Sequence, residues 1–114
     1  MTVAFAHLDD LPERQMLPGV YLRILPGDQL MFSIVRFEPH ARVQTHQHPH
    51  EQIGFVLDGE LELWIGDERR RLGRGDMYTI PSNVPHGAAT GGGDCIVVDV
   101  FHPLREEYVT LFQG

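Results

Sequence analysis

Hydrophobic and polar positions alternate with a period of two in Glu60-Leu61-Glu62-Leu63-Trp64-Ile65. That pattern sets Leu61, Leu63 and Ile65 on one face of a strand and Glu60, Glu62 and Trp64 on the other. Short apolar runs of the same kind recur between glycines and prolines. Val20 to Leu25 is bracketed by Pro18-Gly19 and Pro26-Gly27, and Leu30 to Glu38, Ile53 to Leu57, Glu68 to Leu72, Met77 to Ile80 and Cys95 to Phe101 follow. Asp58-Gly59 and Gly66-Asp67 stand where hairpin turns are expected. The pattern predicts an all-β antiparallel sandwich or barrel. Helical spacing is faint, at Leu8 to Leu17 and at Pro103 to Phe112, where Pro103 is placed to begin a short terminal helix. Gly91-Gly92-Gly93 reads as a loop before the last strand. Trp64, on the polar face, reads as a partly covered surface aromatic or as a contact with a second copy of the chain.

The chain's 114 residues and 12.9 kDa suit one domain spanning 1–114, and its 12 glycines and 8 prolines act as punctuation rather than as a linker. All nine basic residues are arginine, which excludes Schiff-base and phosphate-loop lysine chemistry. Against sixteen acidic residues they leave a net charge of −7, so nucleic acid and anionic membranes are unfavourable partners. An anionic small molecule would need a local arginine. Cys95, the single cysteine, forms no intrachain disulfide and reads as a small apolar side chain. Met1 to Gln15 carries Asp9, Asp10 and Glu13 and has no signal-peptide pattern, and no apolar stretch has the roughly 18–20 residues of a membrane helix, so the cytoplasm is the expected compartment.

Candidate chemistry centres on Thr45-His46-Gln47-His48-Pro49-His50-Glu51-Gln52. Residues two apart on a strand point the same way, so His46 and His48 can present neutral imidazoles to one point. Gln52 has the same parity and could add its side-chain oxygen, while His86 would come from another strand. Asp99 interrupts the apolar run Ile96-Val97-Val98-Asp99-Val100-Phe101, where a carboxylate is costly unless paired, for example with Arg105, or functional. Phe101 shares its parity. Arg105 offers a planar two-pronged donor suited to a substrate carboxylate. Arg69-Arg70-Arg71 reads as a solvated strand that protects a sheet edge. Arg23 is a candidate for the pocket rim.

With Gly59, Gly75 and Pro81 added, these residues resemble the two motifs of the cupin superfamily, G(x)5HxH(x)3-4E(x)6G and G(x)5PxG(x)2H(x)3N. Here the positions read His40, His46, His48, Gln52, Gly59, then Gly75, Pro81, Asn83, His86, Thr90, a motif core over residues 40–90. The resemblance implies a small antiparallel jelly-roll β-barrel with a metal in its mouth. It places metal ligands at His46, His48, Gln52 and His86, and gives His50 no ligand role. His40 and Asn83 replace glycines at turns, and both types tolerate positive φ. Gln52 replaces an anionic glutamate by a neutral carbonyl, which leaves the metal more positive and favours Lewis-acid work over oxygen activation.

The string from His46 to Glu60, the early Gly19-Val20-Tyr21-Leu22-Arg23 and the late Asp99 to Tyr108 are similar to the pectin-degradation branch of that superfamily. This implies a metal-dependent, non-redox enzyme that linearises 4,5-unsaturated uronates to open-chain keto sugars, with active-site roles for Asp99, Phe101 and Arg105. It implies one divalent transition metal (nickel, zinc, iron, manganese or cobalt), a small anionic sugar as substrate and a homodimer. The competing readings are a cupin dioxygenase and a non-catalytic sugar- or metabolite-binding cupin.

Overall fold

In the computed structural model, which describes residues 3–113, the apolar runs become ten strands. They are β1 (Arg14–Leu17), β2 (Val20–Pro26), β3 (Met31–Phe37), β4 (Arg42–His46), β5 (Glu51–Gly59), β6 (Leu61–Ile65), β7 (Glu68–Leu72), β8 (Met77–Ile80), β9 (His86–Ala89) and β10 (Cys95–His102). A 3-10 turn at Leu8–Asp10 precedes them and the helix α1 (Glu106–Leu111) follows. Six strands form one antiparallel sheet in the order β1-β2-β3-β10-β5-β8, and four form a second in the order β4-β9-β6-β7. Hydrogen bonds do not close the two sheets into one ring.

Period-two burial holds the sheets face to face. Val20, Leu22 and Ile24 of β2, Met31, Val35 and Phe37 of β3, and Cys95, Val97 and Phe101 of β10 all point into one core, where Leu61 and Leu63 of β6 meet them from the smaller sheet. The same alternation buries two polar side chains, Ser33 and Asp99, which stand opposite each other in the β3–β10 register. Burial raises the Cys95 thiol to about 11, so this cysteine packs as a small apolar side chain.

Three sequence expectations need correction. Leu8 to Leu17 is not helical beyond its 3-10 turn: Arg14–Leu17 lies between Pro12 and Pro18 and gains more by pairing with the edge of β2. Asp58-Gly59 does not turn a hairpin, because β5 and β6 belong to different sheets; Gly59 takes φ 81° and lets the chain pass from one sheet to the other. The terminal helix begins not at Pro103 but after Arg105, which is its N-cap. Gly66-Asp67 does join β6 to β7 as a hairpin, and His40 and Asn83 do take positive φ, 58° and 62°. Arg69, Arg70 and Arg71 lie on β7, the edge of the smaller sheet, each paired with a glutamate.

Arg36 clamps Glu13 with two bonds, of 3.1 and 2.8 Å, tying the segment before β1 to β3. The bonds from Arg36 hold Glu13 below the usual carboxylate range, against the opposing effect of partial burial. A lowered native pKa gives stability that is present above the unfolded value of 4.5 and is lost as pH falls through the native one. Because the pair is partly exposed, Glu13→Gln is expected to cost only about 0.5–1 kcal/mol at pH 7. Denaturant midpoints of the two proteins should converge as pH is lowered past the native value.

Candidate metal centre

Three imidazoles converge where the two sheets face each other. His46 ends β4, His86 begins β9, and His48 lies on the loop between β4 and β5. On β4, Val43 is opposite Ala88 while His46 is opposite His86, so three steps on β4 match two on β9. This bulge re-aims His46, as an extra residue does in a strand of period two. The ring centroids of His46 and His48 lie 4.3 and 4.8 Å from that of His86, and one ligand atom from each of the three can be chosen within 4.8 Å of the others.

The backbone fixes the tautomer of each ring. Nδ1 of His46 lies 2.9 Å from the Gln44 carbonyl, Nδ1 of His48 3.0 Å from that of His50, and Nδ1 of His86 2.9 Å from that of Val84. A carbonyl only accepts, so each Nδ1 carries the hydrogen and each Nε2 keeps its lone pair. Burial pushes His48 down to about 4, helped by the charge of Arg105, and burial lowers His86 as well, so both rings are neutral at pH 7. His48 Nε2 and Gln52 Oε1 are buried without a hydrogen-bond partner among the described residues. Two orphaned acceptors beside two further imidazoles fit a divalent cation, which would satisfy them together.

Asp99 lies next to this cluster, 5% exposed. Its opposite residues on the neighbouring strands are Ser33 and Gly54. A side chain at Gly54 would meet the Asp99 carboxylate and come within 2.7 Å of the Tyr78 hydroxyl, so glycine there leaves room for both. The Tyr78 hydroxyl donates to Asp99 Oδ1 at 2.5 Å. Burial raises Asp99 to about 6, while bonds from Tyr78 and the Gln52 amide and the charge of Arg105 oppose that rise. Burial and the neighbouring carboxylate raise the Tyr78 hydroxyl far above its ordinary value, so it remains a donor throughout the working range. The partner of Asp99 is thus Tyr78, rather than an ion pair with Arg105.

Arg105 is 8% exposed, so it is no surface residue of the helix. Its Nε donates to Glu107 at 3.0 Å and its Nη1 to the Tyr108 hydroxyl at 2.8 Å, and its guanidinium covers the Tyr108 ring at 4.1 Å. Nη2 has no side-chain bond among the described residues. Phe101, 2% exposed, sets its ring edge-on to His48 and to Tyr108 at 5.8 and 5.7 Å. A cavity of about 410 Å³ is lined by His46, Gln52, His86, Asp99, Phe101 and Arg105 at its polar end, and by Leu61, Leu63 and Val97 beyond.

Other candidates fall outside this cavity. Arg23 turns to Glu13 and the Leu8 carbonyl and does not reach the rim. Glu51 is exposed, and His50 sets its ring edge-on to that of His48 at 5.5 Å. Tyr78 and Tyr108 escaped the sequence reading. Tyr78 shares the inward parity of Ile80 on β8, and that parity was the available signal.

Residues 33–101, more than half of the chain, match the cupin domain family, and the protein belongs to it. Among its relatives, the pectin degradation protein KdgF of Dickeya dadantii (strain 3937) is 31% identical over 103 residues, which cover 89% of this chain and 94% of that protein. The structure of KdgF from Halomonas sp. superposes with a TM-score of 0.87 at 34% identity, covering 92% of this chain and 99% of that one. An RmlC-like cupin from Shewanella frigidimarina superposes with a TM-score of 0.89 at 26% identity, covering 94% and 96% of the two chains.

Proposed function

We propose that this cupin is a metal-dependent, non-redox enzyme that opens the ring of 4,5-unsaturated uronates, with His46, His48, Gln52 and His86 as metal ligands. The similarity to KdgF supports a small sugar acid as substrate. The observation that carries the reaction is Asp99, a buried carboxylate facing the same cavity as His46, His86 and the buried Arg105. A divalent transition metal bound by three imidazoles and an amide oxygen supplies Lewis-acid polarisation of a substrate oxygen.

The remaining steps fall to side chains. Arg105 binds the substrate carboxylate through its free Nη2, a local attraction that offsets the overall charge of −7. Tyr78 holds Asp99 at Oδ1, and the carboxylate so oriented moves the proton. Ring opening removes a proton from the anomeric hydroxyl as the bond from that carbon to the ring oxygen breaks and an aldehyde forms. The enol-ether carbon takes up a proton as the ring oxygen becomes a ketone. The product is an isomer of the substrate and the step needs no oxidant. Asp99 serves as acid and base, and Phe101 keeps water from the wall behind it. Oxygen uptake coupled to substrate loss would instead identify a dioxygenase, and saturable uronate binding with no product a binding protein.

We also propose a second copy of the chain as partner. The outer face of the larger sheet carries Phe32, Ile53 and Met77, which are 47%, 47% and 78% exposed, together with Phe55, Val98 and Val100. These exposed apolar side chains lie side by side on one face, the composition of a surface that a second copy would cover. Sedimentation at twice 12.9 kDa is expected for the native chain and at 12.9 kDa for Ile53→Arg. A native chain that stays monomeric at about 100 µM would refute the dimer.

A further inference from the structure

Trp64, the single tryptophan, has no part in the proposed reaction, yet it is 6% exposed on the outer face of the smaller sheet. It is paired with Gly87 of β9, and β9 lies between β6 and β4. The indole passes over Gly87, where a Cβ would come within 2.5 Å of the ring, and its Nε1–H donates to Thr45 Oγ1 on β4 at 2.8 Å. It thus crosses one strand to reach the next, which glycine at 87 permits. Arg42 and Arg69 cover the ring at 4.9 and 4.6 Å, so its own chain covers this aromatic and the alternative of a contact with a second copy is not needed to bury it.

Both contacts fall beside proposed ligands. Gly87 follows His86, and Thr45 precedes His46 within the β4 bulge. Without the extra residue Thr45 would stand opposite His86, and His46 would face outward. We infer that Trp64 is a positioning residue of the metal centre: by bonding Thr45 across Gly87, it pins the bulge that turns His46 toward His48 and His86. This rests on the metal-centre reading but not on the choice of substrate.

The test is a Co²⁺ titration of the metal-free protein, followed by visible absorption and by competition with a chromogenic chelator. The unfolding midpoint of the metal-free protein is measured alongside. Trp64→Phe keeps a ring but has no N–H, and Thr45→Val removes the acceptor at nearly constant shape. Each is expected to weaken Co²⁺ binding about tenfold, in the range seen for residues that orient ligands, and to alter the absorption band. Thr45→Ser should keep native affinity. Thr45 is exposed, so its variants serve even where Trp64→Phe does not fold. Affinities within twofold of native in both Trp64→Phe and Thr45→Val, with any loss confined to the unfolding midpoint, would overturn the inference and leave the metal centre standing. A native protein that takes up no Co²⁺ would overturn the metal-centre reading itself, and this inference with it.

Discussion

His48→Ala is expected to lower affinity for divalent metal at least about 100-fold, beyond the 10–100-fold typical of residues that only orient a ligand, and to bring uronate turnover to background. The reason lies in where its acceptor is. His48 Nε2 is buried with no partner among the described residues, and Nδ1 is committed to the His50 carbonyl, so the ring has one lone pair and one direction in which to offer it. Alanine removes that lone pair and leaves Gln52 Oε1 unpartnered. The same change deletes a ring that packs edge-on against Phe101, so the unfolding midpoint should fall too. Metal analysis of the folded variant separates the two effects: retention of a full equivalent of tightly bound metal would remove His48 from the ligand set.

Asp99→Asn is expected to act in opposite senses on turnover and on stability. Turnover should fall about 10²–10⁴-fold, the usual contribution of general acid–base catalysis, while bound metal stays at its native level. Stability should rise. Burial lifts Asp99 from 3.8 to about 6, so the folded protein holds this proton more tightly than the unfolded chain does. Its contribution to stability therefore declines as pH rises from the unfolded value through the native one. Asparagine carries no charge to bury, so the metal-free variant should gain on the order of 2 kcal/mol at pH 7 and nothing below about pH 4. Such a gain at the expense of activity is the pattern of a functional buried charge. Loss of metal, or a loss of stability at pH 7, would make Asp99 a scaffold residue.

Much of this architecture is legible in the sequence because period-two alternation and turn residues act locally. Glu68–Leu72 and Met77–Ile80 form strands with the predicted ends. β4 and β9 are not legible that way, since Arg42-Val43-Gln44-Thr45-His46 and His86-Gly87-Ala88-Ala89 lack an apolar stripe and are strands because they pair with each other and β9 also pairs with β6. That matters for the site, as these two strands carry His46 and His86. Spacing brings the histidines to notice, but the bulge that aims His46 depends on a tryptophan two strands away. The Asp99 environment is hidden for the same reason: Tyr78, Gly54 and Ser33 come from β8, β5 and β3, and only their register against β10 and β5 brings them to one carboxylate. The burial of Arg105 depends on Phe101 of β10 and Tyr108 of α1, whose rings lie against its guanidinium at 5.1 and 4.1 Å.

The central claim is that the cluster opens an unsaturated uronate ring without oxygen. The direct measurement is the alkene absorbance of a 4,5-unsaturated monouronate mixed with metal-loaded protein under strict anaerobiosis, beside His46→Ala treated identically. Catalysed loss of that absorbance by the native protein alone, with an isomeric open-chain product, is the predicted result. Unchanged absorbance with a full equivalent of metal confirmed in the native protein would contradict it.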